Sequence, residues 1–158
     1  MFRLKKLTDY AILTMTCVAR SPEQPWHAAR DLATETHLPL PTVSKILKEL
    51  SDHGLLVSHR GPKGGYTLAR NPHEISVAEM VAAFEGPIGF TECTAEPGRC
   101  KLEPSCVVRT NSQVINQALK GTLERIRLSD LTHPLHLASS AVGRNTVASI
   151  GLAPEGVQ

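Results

Sequence analysis

Apolar residues near the start of the chain recur at helical intervals. Leu4, Leu7, Ala11, Met15 and Val18 form one stripe, which Ser21-Pro22 interrupts. The spacing predicts a helix over 4–20. A second, shorter helix over 28–37 carries Leu32 and Ala33, and Pro39 and Pro41 then bracket a sharp turn. A proline's missing N–H is no loss in the first helical turn, so a third helix is predicted to begin near Pro41. On it Val43, Ile46, Leu47 and Leu50 fall at i, i+3, i+4 and i+7, and Gly54 is its C-terminal stop. Thr42, Ser44, Lys45, Lys48 and Glu49 occupy the opposite face.

The period then changes. Leu55 to Arg60 and Tyr66 to Ala69 are short β-rich runs flanking Gly61-Pro62-Lys63-Gly64-Gly65, which reads as a hairpin closed off by Asn71-Pro72. Ser76-Val77-Ala78-Glu79 is a capping box opening a helix to about Phe84. A Pro/Gly-punctuated loop follows, and a long helix is predicted from Cys106 to Leu128, with Val108, Ile115, Leu119, Thr122 and Ile126 along one edge. At 1.5 Å per residue it would extend roughly 35 Å, too far for a domain this small to cover. Its second apolar edge is therefore expected to pack on a partner subunit. From Leu131 the only formal charges are Arg144 and Glu155, and a flexible tail is expected there.

Three short helices followed by a hairpin make a winged helix-turn-helix, in which the third helix enters the major groove and the wing touches backbone or minor groove. Thr42, Ser44 and Lys45 lie at the groove-entering end, with Lys48 further along that face. Arg60 and Lys63 sit at the wing tip, where Gly61, Gly64 and Gly65 let the backbone approach DNA. The alternative is a helix-bundle protein on which these are only solvated polar residues. The order of turn, helix and Gly-rich hairpin favours the DNA reader.

Composition narrows the class further. The 158 residues suffice for one compact domain plus an extension; 41% hydrophobic with only 4% aromatic content implies an aliphatic core. A net charge of +2 permits nucleic-acid binding without arguing for it. The amphipathic start is not a signal peptide, and no run approaches the ~18 apolar residues of a membrane span. A cytoplasmic location is expected, where clustered cysteines more often serve metal or redox chemistry than disulfides. No nucleophile–base pair or phosphate loop argues for an enzyme.

The chemistry concentrates in Cys93, Cys100 and Cys106, separated by six and five residues. Zinc knuckles usually pair ligands at two to four, so the wider spacing fits an iron–sulfur cluster better than a single ion. Zinc and a purely thiol-based redox switch remain as alternatives. Cys17, inside the first helix, reads as a buried small hydrophobe. Glu92, Glu96 and Glu103 are possible oxygen donors.

Leu4-x-x-Leu7-Thr8-Asp9-Tyr10-Ala11, Leu47-x-x-Leu50 through Gly54-Leu55-Leu56, Arg60-Gly61-Pro62-Lys63-Gly64-Gly65-Tyr66 and the three-cysteine loop together resemble the IscR/NsrR-type winged-helix repressors. The resemblance covers residues 1 to about 130 and is closest to the branch regulating the SUF iron–sulfur assembly operon. It implies a homodimer, one iron–sulfur cluster ([2Fe-2S] or [4Fe-4S]) in each subunit's cysteine loop, and a partly palindromic double-stranded DNA operator. In the IscR branch a histidine three residues after the last cysteine completes the site, but here that position is Arg109, which cannot ligate. In the NsrR branch an aspartate from the other subunit's first helix fills this role, and the matching residue is Asp9. Helical geometry places Asp9 about 160° from the centre of its own apolar stripe, beside Leu13 and facing away from the core. The alternative for Asp9 is an exposed acid favoured by the helix dipole.

The expected fold is thus mainly α: a winged helix-turn-helix domain over 1–86, a cluster-binding cysteine loop over 87–106, a dimerisation helix over 107–130 and a tail over 131–158. The expected function is an iron–sulfur-sensing transcriptional regulator, mainly a repressor, of cluster-assembly genes. The alternatives are a nitric-oxide-responsive repressor of detoxification genes and a zinc-binding or thiol redox regulator.

Overall fold

The computed structural model describes residues 3–61 and 64–135. Helices α1 (Lys6–Arg20), α2 (Ala29–Thr36) and α3 (Leu40–Asp52) precede an antiparallel hairpin of β1 (Leu56–His59) and β2 (Gly65–Leu68). Then come α4 (Val77–Glu85), the one-turn α5 (Glu92–Ala95), a 3₁₀ turn at Glu103–Ser105, α6 (Arg109–Arg125) and a second 3₁₀ turn at Leu128–Thr132. Leu56 pairs with Leu68 and His59 with Gly65 in the hairpin. This is the mainly α winged helix-turn-helix that the periodicity predicts.

The α3 stripe of Val43, Ile46, Leu47 and Leu50 is wholly buried, in one core with Ala11 and Met15 of α1, Leu32 of α2 and Met80 of α4. The tight α2–α3 turn depends on His37, which adopts the left-handed conformation (φ 56°) rare for a residue with a side chain. Its N–H, and that of Leu38, close the end of α2 on Thr34 O and Ala33 O. The capping box forms as expected: the Glu79 N–H donates to Ser76 Oγ (3.2 Å) and the Ser76 N–H to Glu79 Oε2 (2.8 Å).

The last helix differs from its prediction at both ends. Cys106 is extended (φ −79°, ψ 113°) after the proline-led 3₁₀ turn, so α6 starts three residues later than expected. At the other end, Ile126 to Leu128 are drawn into strand-like pairing with the lead-in to α4. The Val77 N–H donates to Ile126 O and the Leu128 N–H to Ile75 O, both at 2.9 Å. Leu128 is fully buried in the core, and its 3₁₀ turn packs on α1. Leu131 packs against the core too, while residues 136–158 of the expected flexible tail lie outside the described residues. Among the described residues no helix is long and apolar enough to cross a membrane.

Candidate metal centre and nucleic-acid interface

Burying its apolar stripe obliges α3 to present the other face to solvent. Ser44, Lys45 and Lys48 are exposed and Thr42 is half-exposed, as the pattern required. The leading turn has few free backbone donors, because Pro39 and Pro41 have none and the Thr42 and Val43 N–H groups both return to Pro39 O. Contact with DNA there falls mainly to side chains.

At the wing, Arg60 is exposed, while Lys63 lies outside the described residues. Gly64 and Gly65 have a reason to be glycine inside the protein itself. A Cβ on Gly64 would stand 2.3 Å from His59 O, and one on Gly65 2.6 Å from His27 O. The second contact arises because His27 pairs with Tyr66 as a third edge of the hairpin, with N–H···O distances of 2.9 Å each way. Sequence reasoning missed that edge, since one paired residue leaves no periodic signal.

The cysteine loop is held at its N-terminal root. Gly86, with φ 83°, ends α4. The Phe90 N–H donates to Asn116 Oδ1 (2.9 Å) on α6. Gly89 lies so close to α5 that a Cβ would meet that of Ala95 at 2.3 Å. Cys93 rides on α5 with its Sγ 3.3 Å from Thr91 Oγ1. Cys100 lines an open cleft of about 420 Å³ with Gly98, Lys101, Glu103, Pro104 and Arg109. All three loop cysteines are half-buried and free of disulfides.

Sharing a loop does not make them converge here. Among the described residues no three His, Cys, Asp or Glu side chains are grouped to hold a metal ion, so Asp9 is not gathered with two of these thiols within one chain. Asp9 is exposed in the first turn of α1, and Leu13, one turn on, is 42% exposed. The loop's acids are mostly engaged: Glu96 pairs with Arg99 (2.6 Å) and Glu103, nearly buried, with Arg109 (3.1 Å). Glu92 remains exposed. Cys17 is set apart from the others. Burial first, then the neighbouring Glu35 carboxylate, pushes its thiol up to about 11, which keeps it protonated and unsuited to ligation. The donor set, three accessible thiols on a loop with a free acid on an outward helix face, fits the chemistry of an iron–sulfur cluster.

Sequence reasoning also missed Glu85, the last residue of α4. Its Oε1 accepts from the Lys5 N–H (2.7 Å) and from the Thr8 hydroxyl, and its Oε2 lies 3.4 Å from Lys5 Nζ. The root of the cysteine loop is thereby tied to the start of the helix that carries Asp9.

A family model described as "Iron-dependent Transcriptional regulator", Rrf2, matches residues 4–134. The chain belongs to the Rrf2 family. Among its Rrf2 relatives, the HTH-type transcriptional regulator IscR of Vibrio cholerae is 28% identical, covering 98% of this chain and 97% of that one. The HTH-type transcriptional regulator NsrR of Shouchella clausii is also 28% identical, over 82% of this chain and 87% of its own. Among solved structures, CymR, described as the global cysteine regulator of B. subtilis, superposes with a TM-score of 0.65 at 26% identity, covering 84% of this chain and 97% of that one. This Rrf2 protein is accordingly a DNA-binding transcriptional regulator and not an enzyme.

Proposed function

We propose that this chain is a cytoplasmic, homodimeric repressor of iron–sulfur assembly genes that binds a double-stranded DNA operator according to whether a cluster occupies its cysteine loop. The observation that carries the reading is the trio of free, half-buried thiols, Cys93, Cys100 and Cys106, on a loop between α4 and α6 of an Rrf2 regulator. One cluster per subunit would be held by these three, with Asp9 of the partner subunit as a weak oxygen donor. Bound there, the cluster supplies a thiolate-held group sensitive to oxygen, nitric oxide or iron supply.

The residues of the chain supply the rest. Lys45, Lys48 and Arg60 bring positive charge to the phosphates, and Thr42 and Ser44 bring short hydrogen-bonding groups to base edges. The second copy is argued from α6, where Ser112 alone is buried among the helix's residues. Val107 is 94% exposed and Val108 53%, and Val114 and Ile115 are exposed on α6 itself. A regulator of this size does not leave that apolar edge in water, and a second α6 with the same edge covers it symmetrically. Glu85 links the loop root to α1, so ordering of the loop bears on the helix that packs behind α3. A coupling of ~1–3 kcal/mol would change operator affinity about 5- to 150-fold.

The test is anaerobic purification of wild type and Asp9→Ala with visible spectra and iron and sulfide analysis. Wild type is expected to carry both elements and a thiolate-to-iron absorption, and Asp9→Ala an altered spectrum. A colourless, zinc-loaded protein would sink the reading, and an unchanged variant spectrum would remove Asp9 from the ligand set. The NsrR relative and the non-ligating Arg109 favour one second reading, a nitric-oxide-responsive repressor. Exposure of the loaded protein to nitric oxide, compared with iron limitation, separates the two.

A further inference from the structure

Residues 98–109 contain a repeated three-residue step that ends on Arg109. The Glu103 N–H donates to Cys100 O (3.1 Å), the Cys106 N–H to Glu103 O (3.4 Å), and the Arg109 N–H to Cys106 O (3.2 Å). Two cysteines therefore alternate with Glu103 and Arg109 along three successive turns, with the 3₁₀ geometry confined to Glu103–Ser105 and Cys106 itself extended. The Glu103 side chain, 9% exposed, uses both oxygens: Oε1 pairs with Arg109 Nη2 (3.1 Å) and Oε2 accepts from the Gly98 N–H (2.7 Å). Gly98 is in the left-handed conformation at φ 85°, two residues before Cys100. One carboxylate thus fastens the chain ahead of Cys100 to the first turn of α6 beyond Cys106.

A buried carboxylate is costly without partners, and both partners here are specific donors from opposite ends of the segment. We infer that Glu103 and Arg109 are positioning residues: together with the Gly98 amide they hold the Cys100–Cys106 half of the loop in shape before any cluster binds. This gives Arg109, which cannot ligate, a role at the site. Without the latch, Cys100 and Cys106 would have to be ordered when the cluster binds, and that cost would appear as weaker retention. The inference rests on the iron–sulfur reading for its consequence but not for the latch itself.

The test uses the full chain in two arms. In metal-free, reduced protein, exchange of the Gly98 amide is followed by NMR. Glu103→Ala removes its acceptor and Arg109→Met frees the carboxylate, so exchange is expected to rise ~tenfold or more in the first and less in the second. Arg109→Lys, which keeps the charge, is expected to stay near wild type. In the loaded protein, iron release to a chelator is expected to quicken ~tenfold in Glu103→Ala. Unchanged Gly98 exchange in Glu103→Ala would overturn the latch. Faster exchange with unchanged iron release would overturn the positioning role. A wild type that takes up neither iron nor sulfide would reject the iron–sulfur reading instead, and the exchange arm would still decide the latch.

Discussion

Replacing Glu85 tests how firmly the loop root is tied to α1. The Glu85→Ala substitution removes the acceptor of the Lys5 N–H and of the Thr8 hydroxyl, and Thr8 is fully buried, so its hydroxyl loses its acceptor away from water. Hydrogen bonds to a charged group contribute about 1.5–3 kcal/mol each, though losses that share one acceptor do not simply add. The Lys5 ammonium is 65% exposed and contributes under about 0.5 kcal/mol. The expected loss is about 2–4 kcal/mol in urea denaturation, or roughly 3–5 °C of melting temperature per kcal/mol. The pH dependence carries an independent sign. Burial raises the Glu85 pKa, but hydrogen bonds from Thr8 and Lys5 and the Lys5 charge outweigh it and leave the carboxyl below its ordinary 4.5. A depressed folded pKa means stability that is present above 4.5 and lost as pH falls through the folded value. Glu85→Gln should therefore flatten the acid limb of the stability curve while costing less than alanine at neutral pH. An alanine variant within about 0.5 kcal/mol of wild type, or a glutamine variant with an unchanged acid limb, would refute the clamp.

Lys45→Ala and Arg60→Ala are each expected to weaken operator binding across sequences and to reduce the salt slope by about one, measured by titration at several salt concentrations. Cys106→Ser is expected to abolish bound iron and sulfide, whereas Cys17→Ala leaves both at the wild-type level; elemental analysis distinguishes them. Val114→Glu places a charge on the apolar edge of α6 and is expected to shift the protein to monomer in sedimentation, with a parallel loss of operator affinity.

The elements that local pattern could reveal were those whose own side chains carry the period. The α3 stripe, the Ser76 capping box and the Gly54 stop all appear where the spacing put them, and Asp9 faces outward as the helical angle required. What stayed hidden depends on distant partners. The end of α6 is set by Ile75 and Val77, residues some fifty positions earlier, which recruit Ile126 and Leu128 into pairing. Hydrophobic spacing alone ran that helix on to Leu128. The glycines of the wing suggested close approach to DNA, yet Gly65 is required by the backbone of His27. In the cysteine loop, Glu103 was legible only as a spare oxygen donor, and Arg109 only as a residue that cannot ligate. Their pairing crosses a proline-bearing 3₁₀ turn and the extended Cys106, an irregular path that no single period traces.

The central claim is that occupancy of the cysteine loop sets operator affinity. The direct measurement is anaerobic titration of one operator duplex, taken from sequences selected by the wild-type chain, with cluster-loaded and cluster-stripped protein at equal salt. The account predicts affinities that differ about 5- to 150-fold, with the difference abolished in Cys106→Ser. Equal affinities of the two forms on every selected duplex would contradict it.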